Sequence, residues 1–151
     1  MNMFKALVVL LVVAGSWSQV VPADGGGGGR TSKMAPFMDL IEREKYQQAI
    51  DKLDKALVKS PDNPDLLNLT AYSHRKLEHY EIALNYYQKA LQIEPDHRGA
   101  NEYLGELYLH LGDLDRALER LAVLDSECFF GCDEFDDLED AIEVFREANS
   151  S

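Results

Sequence analysis

Basic side chains are scarce in this sequence: 15 lysines and arginines stand against 27 aspartates and glutamates, leaving a formal net charge of -12 over 151 residues. That balance disfavours nucleic acid as a partner, because a polyanion is held chiefly by lysine and arginine displacing counterions from phosphates. An anionic membrane surface is disfavoured by the same repulsion. Cysteine is scarcer still, and two of them can build neither a disulfide-stapled mini-fold nor a four-thiolate zinc site. Long apolar runs are missing too. The one clear run, ALVVLLVVA from Ala6 to Ala14, falls well short of the roughly 20 residues a bilayer span needs. The length suits one domain, since domains usually run about 100 to 200 residues.

The short apolar run has a place of its own. Met1 to Lys5 carries one positive charge, the run follows, and Gly15 to Ala23 closes on the small-residue pattern VPA before Asp24. Residues 1–23 therefore read as a signal peptide cut after Ala23, and the chain is expected in the periplasm or secreted. No cysteine near the cut provides a site for a lipid anchor. Residues 24–35 begin with five glycines, Gly25 to Gly29, and predict a flexible linker, because glycine loses the most backbone entropy on ordering and buries nothing. A phosphate loop fails on context: no apolar strand precedes the glycines and no Gly-Lys-Ser/Thr closes them.

From Pro36 onward the pattern is helical and repeats every 34 residues. Tyr46, Tyr80 and Leu114 keep that spacing, as do Ala49, Ala83 and Ala117, then Leu53, Tyr87 and Leu121, with Ala56, Ala90 and Leu124 completing the register. Pro61 and Pro95 close two units, and Phe129 stands where a third proline would fall. Proline lacks the amide a continuing helix needs, so each one ends a helix and turns the chain.

A 34-residue period of two helices with paired alanines and a closing proline resembles the tetratricopeptide repeat (TPR). PDLLNLTAYSHRKLEHYEIALNYYQKALQIEP, Pro64 to Pro95, resembles the family over a full unit. Ala71 and Ala83 are expected to let the two helices of a hairpin approach, Ala90 to let the second helix meet the next unit, and Leu67, His74, Leu84 and Tyr87 to fill the space between. Arg98 to Phe129 is similar through Leu104, Gly105, Tyr108, Gly112, Asp113, Leu114, Ala117 and Leu121, but departs at Leu124, where a small residue is usual. The first unit is complete only in its second half, Tyr46 to Pro61, with Pro36 to Arg43 left for its first helix. The expected fold is all-α: an antiparallel helix-hairpin superhelix of about two and a half repeats over 36–129 (36–63, 64–97, 98–129) with an acidic capping helix over 130–149. In that cap Phe135, Leu138, Ile142 and Phe145 share one face, and Asp133 is placed to cap the first turn.

Chemistry has little to stand on. Cys128 and Cys132 in CFFGC are most simply a disulfide pinning the cap to the array, and closing so small a ring is worth roughly 2 kcal/mol. A thiol redox couple or a cuprous-ion site is the alternative reading of the pair. Among His74, His79, His97 and His110 no two have the helical spacing of a metal pair, and no cofactor or metal is expected. EFDDLED lacks the alternation and central glycine of a calcium loop, and Asn68-Leu69-Thr70 is a glycosylation match inside a predicted helix. No catalytic constellation stands out.

The resemblance to the TPR family implies a binding surface instead: first helices of successive repeats line a concave groove that takes a peptide or a helix of another protein. The groove positions it implies are Asn68, Tyr72, Arg75 and Lys76, with Glu102, Glu106, Leu109 and His110, and the Tyr72 and Arg75 pair is expected to anchor the partner. The basic and amide clamp with which some members hold a chaperone's terminal carboxylate is not carried over, since Met34 and Met38 stand at its first positions. A homodimer through the array ends is compatible with so short an array. Charge sharpens the partner: from Arg30 to Arg98 eleven acids face eleven bases, whereas from Gly99 to Ser151 fifteen acids face three. A partner with a basic surface is therefore expected, its association weakening with salt.

Overall fold

Repetition in the sequence becomes repetition in the backbone at the turns. The three hairpin turns carry a left-handed residue at Glu44, Glu78 and Gly112, one period apart. Each is followed by an amide that reaches back into the last turn of the preceding helix: Lys45 N–H to Leu40 C=O, His79 to His74 and Asp113 to Tyr108, at 2.8, 2.9 and 2.8 Å. This six-to-one bond satisfies a carbonyl that the helix end would otherwise orphan. Glycine takes the left-handed position freely at 112, whereas the two glutamates hold it against their Cβ atoms. Helix starts are satisfied in kind. Asn63 Oδ1 accepts from the Leu66 amide, with Pro64 at the first helical position, and Asp113 Oδ1 accepts from Arg116 N–H.

The computed structural model describes residues 28–150, and among them there are seven helices and no strand. They are α1 Gly28–Glu42, α2 Tyr46–Leu57, α3 Pro64–Lys76, α4 Tyr80–Ile93, α5 Arg98–His110, α6 Leu114–Glu127 and α7 Asp133–Ala148. Consecutive pairs form three antiparallel hairpins. Helices α1, α3, α5 and α7 touch in sequence to make one row, with α2, α4 and α6 behind it. The expected all-α array of helix hairpins with a C-terminal cap is the architecture found.

The alanines sit where helices meet: Ala49, Ala71, Ala83, Ala90 and Ala117 are wholly buried. Tyr87, Leu104, Leu107 and Leu124 fill the space between hairpins in one core cluster, while Leu40, Ala49, Leu53 and Leu66 form a smaller one under the first hairpin. Leu57 packs against both clusters and joins them. Helices of this length are marginal alone, so burial between neighbours carries the stability. On the last hairpin Leu138 and Ile142 of α7 are fully buried, with Phe135 and Phe145 beside them.

Two expectations need correction. The first helix begins at Gly28, not Pro36, so the second part of the expected 24–35 linker is helical and Pro36 lies inside α1. The apolar stripe explains it: Met34, Phe37, Leu40 and Ile41 all pack on the smaller core, so burial on both sides of Pro36 offsets the hydrogen bond proline removes. Asp133 is not the cap of α7. Extended Cys132 holds that position without a side-chain cap bond, and Asp133, Glu134 and Asp136 occupy the first turn, where acids still suit the helix dipole. The expected signal peptide (1–23) and residues 24–27 of the linker lie outside the described residues.

The seam between α5 and α7 is a close one. A Cβ built on Gly105 would meet the Leu138 Cδ atoms at 2.6 and 2.7 Å, and Leu138 is itself wholly buried. Gly105→Ala is therefore expected to lower unfolding free energy by about 1–3 kcal/mol despite alanine's better helix propensity. In a Leu138→Ala background the same change should become neutral or stabilising, which a double-mutant cycle by urea unfolding will read.

Candidate functional site

The inner row of helices presents residues at the sequence period. Met34, Asn68 and Glu102 stand one 34-residue step apart, and so do Met38, Tyr72 and Glu106. A concavity of about 490 Å³ gathers Met34 and Met38 of α1, Asn68 and Leu69 of α3, Glu102 and Tyr103 of α5 and Glu134 of α7. A second concavity of about 380 Å³ continues past Met38 and Leu69 to Tyr72, Lys76 and Tyr46. One trough thus runs across four helices, with methionine and leucine toward α1 and carboxylates toward α7.

An aromatic and ionic strut stiffens its centre. Tyr72 and Tyr103 lie 4.8 Å apart between ring centroids, and Tyr46 meets Tyr72 edge-on at 6.5 Å. The Arg75 guanidinium sits 5.3 Å from both the Tyr72 and Tyr103 rings, and its Nη1 donates to Glu106 Oε2. Arg75 is thus paired within the fold, with a carboxylate and a ring of α5 that α3 alone did not predict. Lys76 remains exposed, its Nζ 5.8 Å from the Tyr72 ring.

Below the strut the charges are unbalanced. Glu102 is only 5% exposed. Burial first, then Glu106, Asp137 and Glu134, push its carboxyl up to about 8, while Arg75 pulls the other way. Arg75 already serves Glu106, so Glu102 largely keeps its proton at neutral pH. Asn68 is 7% exposed, and its Oδ1 accepts no hydrogen bond among the described residues. Thr70 is wholly buried on the same helix, so the Asn-Leu-Thr triplet is part of the packing. His97 fixes the ends of α3 and α5: its Nδ1 accepts from Ala100 N–H at 3.1 Å, which leaves Nε2–H to donate to Asp65 Oδ1 at 3.2 Å.

The structure thus brings together Asn68, Tyr72, Arg75, Lys76, Glu102 and Glu106. Leu109 and His110 it sets apart. They lie with Glu106 against Ala141, Val144 and Phe145 of α7 in a separate concavity of about 560 Å³, Leu109 is nearly covered, and the His110 ring lies 4.3 Å from that of Tyr80. Tyr103, Glu134 and Asp137 went unnamed at the sequence level. The register could have found Tyr103, one period from Leu69; the α7 acids depend on how the cap docks.

Elsewhere, His74 stacks on Tyr86 at 5.9 Å, filling the aromatic position between helices, and its Nδ1 lies 3.3 Å from that of His79. Burial, then the charge of His79, lowers the His74 pKa. No three His, Cys, Asp or Glu side chains are grouped to hold a metal among the described residues. No described helix is long and apolar enough to cross a membrane. Cys128 and Cys132 are drawn together, their Cα atoms 5.6 Å apart, around a turn that leaves Phe129 and Phe130 exposed.

Residues 74–127 match the Tetratricopeptide repeat family. The chain is 26% identical over 125 residues to the inactive TPR repeat-containing thioredoxin TTL3 of Arabidopsis thaliana, covering 74% of this chain and 17% of that one, so it spans about a sixth of that relative's length. Among solved structures the Sgt2 TPR domain from Aspergillus fumigatus superposes with a TM-score of 0.67 at 25% identity, over 80% of this chain and 82% of that one. A tetratricopeptide repeat protein from Parabacteroides merdae superposes at 0.64 and 21% identity, over 85% of this chain and 49% of that one. The fold is therefore the tetratricopeptide-repeat fold, and repeats of this kind mark a protein interaction module.

Glu102 makes stability fall with pH. Its folded value of about 8 lies above the unfolded 4.5, so the native state binds the extra proton and loses that advantage as pH rises from 4.5 through 8. Thermal unfolding should show a falling midpoint across that window, and Glu102→Gln, neutral throughout, should flatten it. An unchanged slope in the variant would assign the effect to other groups.

Proposed function

We propose that the chain is a non-enzymatic adaptor that holds a peptide or helix of another protein in the trough crossed by α1, α3, α5 and α7, and that it works in the cell envelope. One observation carries the groove reading: four helices of the inner row open side chains onto a single concavity that is apolar at one end and acidic at the other. Proteins of this fold are typically adaptors, and the first 23 residues support the location. Because Arg75 and the tyrosine rings packed around it hold the floor in place, little side-chain order has to be gained on binding, which lowers the cost of association. Glu106, Glu134 and Asp137 favour a basic partner over an acidic one and make the association salt-sensitive.

Cys128 and Cys132 support the same setting if they are bridged, since disulfides persist in oxidising compartments. The bridge would tie the end of α6 to the start of α7 and so hold the acidic wall of the groove in place.

Two measurements check this. Peptides selected from a random library on the immobilised full chain should lose at least about tenfold in affinity on Tyr72→Ala, and keep it on Lys89→Ala, which lies on the outer row; equal behaviour of the two variants would remove the groove reading. Native protein should titrate no free thiol before reduction, and reduction should cost about 2 kcal/mol of stability in urea unfolding. Two reactive thiols in protein kept from reductant would count against the bridge.

A further inference from the structure

From the grouping of Glu102 and Asn68 in the groove, we propose that this corner is a binding site for the ammonium of a lysine side chain on the partner; the proposal rests on the groove reading and names what that groove selects. Three observations converge. Glu102 is almost wholly buried yet lines the concavity, and Arg75, the base that lowers its pKa, donates to Glu106. Asn68 walls the same concavity, more than nine-tenths buried, with an Oδ1 that accepts nothing among the described residues. The rest of the lining includes half-buried Met34, Leu69 and Tyr103 with exposed Met38, a methionine and leucine surface with one aromatic ring.

These match a lysine group by group. An ammonium has three donors and no acceptor, and the site offers the Glu102 carboxylate, while the unpartnered Asn68 Oδ1 lies covered in the same wall. The aliphatic stem of lysine lies well along thioethers and leucine, and its charge gains from an aromatic face. A terminal carboxylate of a partner would face Glu102, Glu106, Glu134 and Asp137 instead and be repelled.

Empty, the carboxyl is protonated because burial and three acids oppose its charge; occupied, it forms an ion pair and its proton leaves to solvent. The groups that set this balance are Arg75 on α3, Glu106 on α5, and Glu134 and Asp137 on α7, while Asp65 of α3 and His97 ahead of α5 line the same concavity. Since binding releases the proton, affinity should rise with pH, by up to about tenfold per unit below 8, and level off above.

The test is library selection on two full-chain baits, native and Glu102→Gln, followed by calorimetry in buffers of different ionisation heat. Glu102→Gln removes repulsion and keeps shape, so it should fold. On the native bait the selected peptides should carry a lysine flanked by apolar residues, lose more than about tenfold when it is replaced by Nε-acetyllysine, and release up to one proton per peptide bound at pH 7. The Glu102→Gln bait should select no lysine. Acetylated and free lysine peptides that bind alike, while still requiring Tyr72, overturn this site and leave the groove standing. Peptides that require neither Tyr72 nor Glu102 overturn both.

Discussion

Close approach between helices, possible only where side chains are small or absent, is the constraint on which the rest of this molecule depends. Ala71 and Ala83 bring α3 and α4 together, Ala90 brings α4 to the following hairpin, and Gly105 brings α7 onto α5. Each contact fixes an angle as well as a distance, so the inner row curves and its exposed side chains face one another across a trough. Were these positions larger, the same tyrosines and carboxylates would be carried on helices too far apart to share a cavity.

Within that frame the charges divide their labour. Arg75 neutralises Glu106 and wedges two tyrosine rings, so one ion pair becomes architecture. Glu102 has no such hydrogen-bonded partner among the described residues and lies near further acids, including two contributed by the cap. The helix that terminates the array therefore does two things at once: Leu138 and Ile142 close the core, while Glu134 and Asp137 set the electrostatics of the groove. A buried acid left uncompensated costs stability, and such costs concentrate at sites that meet something else.

Much of this was legible in the sequence because the repeat is a local code. A spacing of 34, alanines at fixed offsets and two prolines specify hairpins whose contacts are with near neighbours, so Ala49, Ala83 and Ala117 could be placed without knowing the whole. What escaped was set by longer reach. Arg75 read as a free anchor because the carboxylate that engages it lies 31 residues on, and the start of α1 was missed because Pro36 outweighed a stripe that only tertiary packing rewards. Leu109 and His110 were assigned to the trough by family resemblance, yet the docking of α7 places them in another hollow.

The three hairpin turns share one backbone shape but not one cost. Glu44 and Glu78 adopt the left-handed conformation against the preference of any residue with a Cβ, whereas Gly112 adopts it freely. The first hairpin also rests on the smaller of the two cores. Cooperativity in such an array runs from neighbour to neighbour, so opening is graded, beginning at α1 and α2 and ending at the hairpin that α7 clasps. The groove consequently has a compliant apolar wall of methionines and an unyielding acidic one.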